Sequence, residues 1–191
     1  EAFAHNRDLA EVFFGAGALS IGVSAFYDCS ALKELTLPDS VNTIERGAFS
    51  NCRELEKITI GSGLKTIPDR AFSYCTKLTD LIIGENIEQV GEDAFGNCYT
   101  LNSVVFPASL KELDRWVFRS CRNLDRIIFT GDAPKFDKNT LDGMRENYRV
   151  TTLVYPCTNS TWTEDLFQGY GHGGAQWIPD HICENGVCTL C

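Results

Sequence analysis

The chain has 191 residues, 43% of them hydrophobic and 23% charged, with a net charge of −9. That length suits one domain or a domain with a cap, and the composition is ordinary for a globular protein. The negative charge argues against a nucleic-acid partner and against docking on anionic lipid. No apolar run approaches the roughly 20 residues of a membrane-spanning helix, so no membrane insertion is expected.

The chain opens on Glu1-Ala2-Phe3, which aligns with Ser24-Ala25-Phe26. It is therefore expected to begin inside a repeat, as a mature or trimmed part of a longer array. Phenylalanine recurs at Phe3, Phe26, Phe49, Phe72, Phe95 and Phe118, each step being 23 residues (26 − 3, 49 − 26 and onward). Cysteine keeps the same step at Cys29, Cys52, Cys75, Cys98 and Cys121, and leucine keeps it from Leu9 to Leu124. A fixed period of this length signals a repeat architecture.

Within one copy, Leu32-x-x-Leu35-x-Leu37-Pro38 alternates apolar and polar positions, the period of a strand. Pro38 stops it, having no N–H to give to a ladder. Val41-x-x-Ile44 turns two more apolar residues inward, and Ala48-Phe49 and Cys52 complete the coil. The Leu35 column reads Val12, Leu35, Ile58, Leu81, Val104, Ile127. The Ile44 column reads Ile21, Ile44, Ile67, Val90, Leu113, Phe136. One such coil cannot bury its own apolar face, whereas stacked coils bury each other's. Parallel strands about 4.8 Å apart then turn each column into a ladder of like side chains.

These residues carry a resemblance. The pattern Cys29, Leu32, Leu35, Leu37, Pro38, Ser40, Val41, Ile44, Ala48, Phe49, Cys52 resembles the BspA-like class of leucine-rich repeat over about residues 1–136. The resemblance implies an α/β-type repeat solenoid with 23-residue coils, a parallel sheet on one face and an irregular C-terminal cap. Proteins of this class are mostly surface or secreted proteins of host-associated anaerobic bacteria. An extracellular or cell-surface location is therefore expected, with binding or adhesion to a protein or glycan of a host or neighbouring cell. Neither catalysis nor a cofactor is implied. Two other roles fit the same residues: a structural spacer, or an accessory arm of a larger, carbohydrate-active protein.

Past residue 136 the pattern loosens. Val150-x-x-Leu153-x-Tyr155-Pro156 repeats the strand motif at a step of 26 (150 − 124), a three-residue insertion that gives one last irregular coil. Residues 137–191 are read as that coil and a cysteine-containing cap. In it, Thr161 or Thr163 starts a short helix with acids in the first turn. Trp162 and Trp177 serve as apolar anchors, and a glycine-rich turn runs from Tyr170 to Gly174.

The ladder cysteines alternate with core leucines and are read as buried, unreactive thiols. Cys157, Cys183, Cys188 and Cys191 lie off the ladder. Two disulfides would use all four in one of three pairings, and an extracellular setting favours that reading; free thiols are the next alternative, and a thiolate metal site the third, although a second Cys-x2-Cys pair is missing. No metal ligand is assigned. His5, His172 and His181 are scattered, and no base, orienter and oxyanion donor can be named together, so no catalytic residue is assigned either.

Alternation places the residues between the core columns on the outer face of the sheet. One outer column reads Glu11, Glu34, Lys57, Asp80, Ser103, Arg126 and looks like a solvated surface. The next reads Phe13, Thr36, Thr59, Ile82, Val105, Ile128. Aliphatic residues suit any strand, but Ile82, Val105 and Ile128 form a stripe that the core does not need. With Asp80 and Arg126 at its flank, it is the expected partner-binding surface, since contiguous exposed apolar patches mark interaction sites.

Overall fold

The computed structural model describes residues 1–144, 151–157, 159–170, 175–180, 183–184 and 187–188, the last two pairs and Tyr170 by backbone alone. Along residues 20–155 each coil contributes a narrow and a broad strand in turn. They are β1 (Ser20–Ile21), β2 (Glu34–Leu37), β3 (Thr43–Ile44), β4 (Lys57–Ile60), β5 (Thr66–Ile67), β6 (Asp80–Ile82), β7 (Gln89–Val90), β8 (Ser103–Phe106), β9 (Glu112–Leu113), β10 (Arg126–Phe129), β11 (Lys135–Phe136) and β12 (Thr151–Tyr155). The even-numbered strands pair in parallel as β2-β4-β6 and β8-β10-β12, and the odd-numbered ones as β1-β3 and β5-β7-β9-β11. The register is the sequence period itself: Leu35 faces Ile58, and Ile127 faces Val104.

The architecture is the expected repeat solenoid, and its coils are built of strands and turns without helix. The one helix among the described residues is α1 (Glu164–Tyr170), in the cap. Two departures stand out. Glu11–Phe14 forms no strand, and Val12 and Phe14 are only half-buried. β6 and β8 lie side by side without ladder pairing, and there Leu81 and Ile83 are half-buried where their column mates are buried.

The third side of each coil is an arm of turns. In it every second N–H leaves the coil: Ser24, Phe26 and Asp28 donate to the carbonyls of Arg46, Ala48 and Ser50, at 2.8–3.0 Å. The intervening Ala25, Tyr27 and Cys29 N–H groups bond three residues back inside their own coil. This alternation puts two residues per coil in the left-handed region. One column holds Ser24, Gly47, Arg70, Asp93 and Trp116, and the other holds Asp28, Asn51, Tyr74, Asn97 and Ser120, all with φ between 50° and 66°. Asp, Asn and Gly tolerate that conformation, whereas Arg, Tyr and Trp resist it. Since Ala25 C=O and Phe26 N–H belong to one peptide group, the bonds Phe3→Ala25, Phe26→Ala48, Phe49→Ala71, Phe72→Ala94 and Phe95→Val117 join head to tail in an unbroken chain. The columns beginning at Ser24 and Asp28 make two more such chains.

Inside the arm the phenylalanines stack. From Phe3 to Phe118, neighbouring rings lie 5.1–5.8 Å apart at interplanar angles of 3–12°. Phe49, Phe72, Phe95 and Phe118 are all but fully buried. Each ladder thiol donates to the phenylalanine carbonyl of the preceding coil: Cys52 to Phe26, Cys75 to Phe49, Cys98 to Phe72, Cys121 to Phe95 and Cys29 to Phe3. A column of alanines would leave that bond unmade.

Burial pushes the thiols of Cys29, Cys52, Cys75 and Cys98 up, Cys75 to about 12. The thiolate is the reactive form, so Cys52, Cys75 and Cys98 should resist alkylation in the native protein and label fully after denaturation. Mass spectrometry after a brief native pulse checks this, and rapid native labelling of the three would overturn it.

The cap closes the core with aromatics. β13 (Ala175–Pro179) adds to β12 in parallel, with Leu153 facing Trp177. Thr163 caps α1, its Oγ1 accepting from the Leu166 N–H, and Glu164 and Asp165 occupy the first turn. Trp162 is buried, its ring 5.0 Å from Phe129 and 5.6 Å from Trp177, and its Nε1–H donates to the Gly131 carbonyl at 3.0 Å. The antiparallel strands β14 (Cys183–Glu184) and β15 (Val187–Cys188) bring Cys183 opposite Cys188. Cys157 is half-buried and carries a free thiol. Cys191, His172, His181 and the glycine-rich segment 171–174 lie outside the described residues.

Candidate binding surface

The outer face of the broad sheet alternates as the strand period requires. In β8, Val104 and Phe106 are buried while Ser103 and Val105 are exposed. In β10, Ile127 and Phe129 are buried, Arg126 is exposed and Ile128 half-buried. Ile82 and Val105 are 54% and 48% exposed. These three side chains therefore lie in one outer column, with Asp80 and Arg126 exposed in the column beside it.

The structure lengthens the stripe. Ile128 pairs with Val154, and Val154 with Ile178, which is exposed. Five aliphatic residues thus run along five consecutive strands, from β6 to β13. Val154 and Ile178 escape a 23-residue reading because they follow steps of 26 (154 − 128) and 24 (178 − 154). The stripe crosses the unpaired seam between β6 and β8, so the half-buried Leu81 and Ile83 add apolar surface beside it. Toward the other end the column passes through Thr59 and Thr36 to Phe13, which is 88% exposed beside a hollow of about 660 Å³.

The other faces are charged. Ion pairs climb the narrow side one coil at a time: Lys111 with Glu88, Lys135 with Glu112 and Arg115 with Glu92. Such exposed pairs contribute little to stability, about 0–1 kcal/mol each. They give that side a solvated surface, against which the aliphatic stripe is the exception.

The sequence matches the family described as the BspA type leucine rich repeat region, in six copies, over residues 1–125 and 83–170. The chain belongs to the BspA-type leucine-rich repeat family. The solved structures agree with the fold. A leucine-rich repeat protein of Bacteroides ovatus superposes with a TM-score of 0.70 at 22% identity, over 88% of this chain and 42% of that one. A leucine-rich repeat protein of Eubacterium ventriosum gives 0.61 at 28% identity, over 70% of this chain and 36% of the other. The leucine-rich repeat protein of T. pallidum gives 0.61 at 26% identity, over 84% and 78%. This BspA-type chain spans less than half the length of the first two. No curated protein matches it in sequence.

Proposed function

We propose that this BspA-type repeat is a non-catalytic binding module of a bacterial cell-surface or secreted protein, and that the aliphatic stripe of the broad sheet contacts a protein or glycan partner. The observation that carries the reading is the run Ile82, Val105, Ile128, Val154, Ile178, one aliphatic residue on each of β6, β8, β10, β12 and β13 where the core requires none of them. An apolar column on five consecutive coils costs solubility, and soluble proteins keep such continuous patches small unless they are used. Asp80 and Arg126 at its border provide polar contacts of both signs, the rim that surrounds most recognition surfaces. The off-ladder cysteines Cys183, Cys188 and Cys191 stand in this reading as disulfide candidates of an oxidising compartment, and Cys157, whose thiol is free in the structure, would join them only on oxidation. The competing role, a rigid spacer, draws its support from the ion-paired narrow side.

Replacing Val105 and Ile128 together with serine should weaken adhesion or pull-down of the partner by about tenfold or more, as loss of a central apolar contact does. The melting temperature should barely move, because Val105 is exposed and Ile128 half-buried. Retention of full binding by the double variant would assign recognition to another face, and absence of any partner in cell-binding assays would favour the spacer.

A further inference from the structure

The arm side carries a feature that the sheet face does not share. Across its middle coils lies a groove of about 690 Å³ whose lining includes Arg46, Arg53, Arg70 and Arg119 but no lysine. In a chain of net charge −9 its lining holds four arginines and one carboxylate, Asp93, which lies against Arg70 and Arg119, while Glu92 beside the groove is 3.9 Å from Arg70.

The hollow follows from side-chain size. Gly47, Ser50 and Ser73 occupy outward positions filled in neighbouring coils by larger residues such as Tyr27, Arg70 and Arg119. Its floor is Asp93, whose side chain is 3% exposed and lies 3.1 Å from Arg119 Nε and 3.7 Å from Arg70 Nε. That buried carboxylate holds Arg119 and, together with Glu92 at 3.9 Å, Arg70 at the groove wall, their side chains 41% and 48% exposed. Arg53 is exposed and bonds only the neutral Asn51 amide, and Arg46 is exposed with no side-chain partner among the described residues. Tyr74 adds an exposed ring.

We propose that this groove is a second binding site, specific for an acidic glycan, a sugar chain bearing carboxylates. Guanidinium groups pair with carboxylates through two parallel hydrogen bonds. Tyr74 offers a flat face to a sugar ring, and the half-buried Ser24 hydroxyl offers a partner to a sugar hydroxyl. The arginines run from the coil of Phe49 to the coil of Phe118, three coils or about 14 Å at about 4.8 Å per coil. They stand in the coils of Phe49, Phe72 and Phe118, with Asp93 in the coil of Phe95 between them, so carboxylates spaced along a sugar chain meet the first two coils and the last. A peptide strand is disfavoured because the arm's N–H and C=O groups are consumed by the axial chains and the turns, leaving no ladder to extend.

The test is isothermal titration of the whole chain with polygalacturonate oligosaccharides, their methyl esters, neutral dextran and polyglutamate. The acid form should bind, the ester and dextran should bind at least about tenfold more weakly, and added salt should weaken the acid form. Replacing Arg46 and Arg53 with serine should lower affinity by about tenfold or more, the range expected for losing charge-assisted hydrogen bonds. Neither residue makes an ion pair among the described residues, so the fold should survive; should it not, the acid-against-ester comparison on the native chain still decides. Serine at Val105 and Ile128 should leave polyuronate binding unchanged, which separates this site from the sheet face. Equal binding of acid and ester, equal or tighter binding of polyglutamate, or unchanged affinity in the arginine variant would overturn the proposal.

Discussion

Phe72→Ala should lower the unfolding free energy by about 3–5 kcal/mol, the cost of removing a large aromatic side chain from a closed core. Phe72 is fully buried, with Phe49 and Phe95 stacked on its two faces at 5.6 Å each. Alanine there leaves a cavity that neither neighbour can fill, because each is held by its own stack. Two ring–ring contacts are lost along with the buried area, each worth about 0.5–1.5 kcal/mol. The same change at Phe3 should cost far less, since that ring is 49% exposed and stacks on one side only. Urea denaturation of the two variants beside the parent chain measures both. Equal losses at Phe72 and Phe3 would show that the stack does not act as a continuous core.

Trp162→Ala should cost a similar amount, about 3–5 kcal/mol, for a different reason. Trp162 terminates the core: its ring covers Phe129 and Phe136 and meets Tyr155 at 5.5 Å. A solenoid has an open end wherever its last coil lacks a cap, and end repeats must shield the apolar column beneath them. Without the indole, Phe129 and Phe136 face solvent, so the variant should bind a hydrophobic dye and self-associate as well as melt earlier. Trp162→Phe separates the two contributions. It keeps an aromatic plug but leaves the Gly131 carbonyl without the indole N–H, a loss of about 1–3 kcal/mol if the carbonyl stays buried. A Trp162→Ala protein that melts with the parent would place the closure of the core elsewhere in the cap.

Much of this fold is legible in the sequence because one repeat writes its own contact map. A residue and its copy 23 positions later must be neighbours, so the columns of Leu35 and Ile44 name both the strands and their register. The reading fails where the period breaks. Val154 and Ile178 belong to the outer stripe, but insertions shift them out of phase. The unpaired seam between β6 and β8 has no column signature, since Leu81 and Ile83 are as apolar as their counterparts in the paired strands. The arm was only half visible. Asp28, Asn51 and Asn97 are residue types that enter the left-handed region readily, whereas Tyr74, Arg70 and Trp116 enter it because the axial hydrogen bonds of neighbouring coils impose it. The arginine groove was hidden because Arg46, Arg53, Arg70 and Arg119 come from four different columns. A search along columns cannot find a cluster that forms diagonally.

The head-to-tail chains of the arm also have an electrical meaning. Every inter-coil N–H there points toward the C-terminal end of the stack and every accepting carbonyl toward the N-terminal end. The peptide dipoles, about 3.5 D each, therefore add along the solenoid axis as they do in an α-helix, but with the sign reversed relative to the direction of the chain. An α-helix is positive at its N-terminus, whereas this arm is positive at its C-terminal end. Each further coil lengthens the dipole without altering the partial charges at its tips. Two arrays approaching along a common axis would attract when the last coil of one met the first coil of the other, and repel when like ends met. Polarity of assembly is thereby available to the stack before any side chain is chosen.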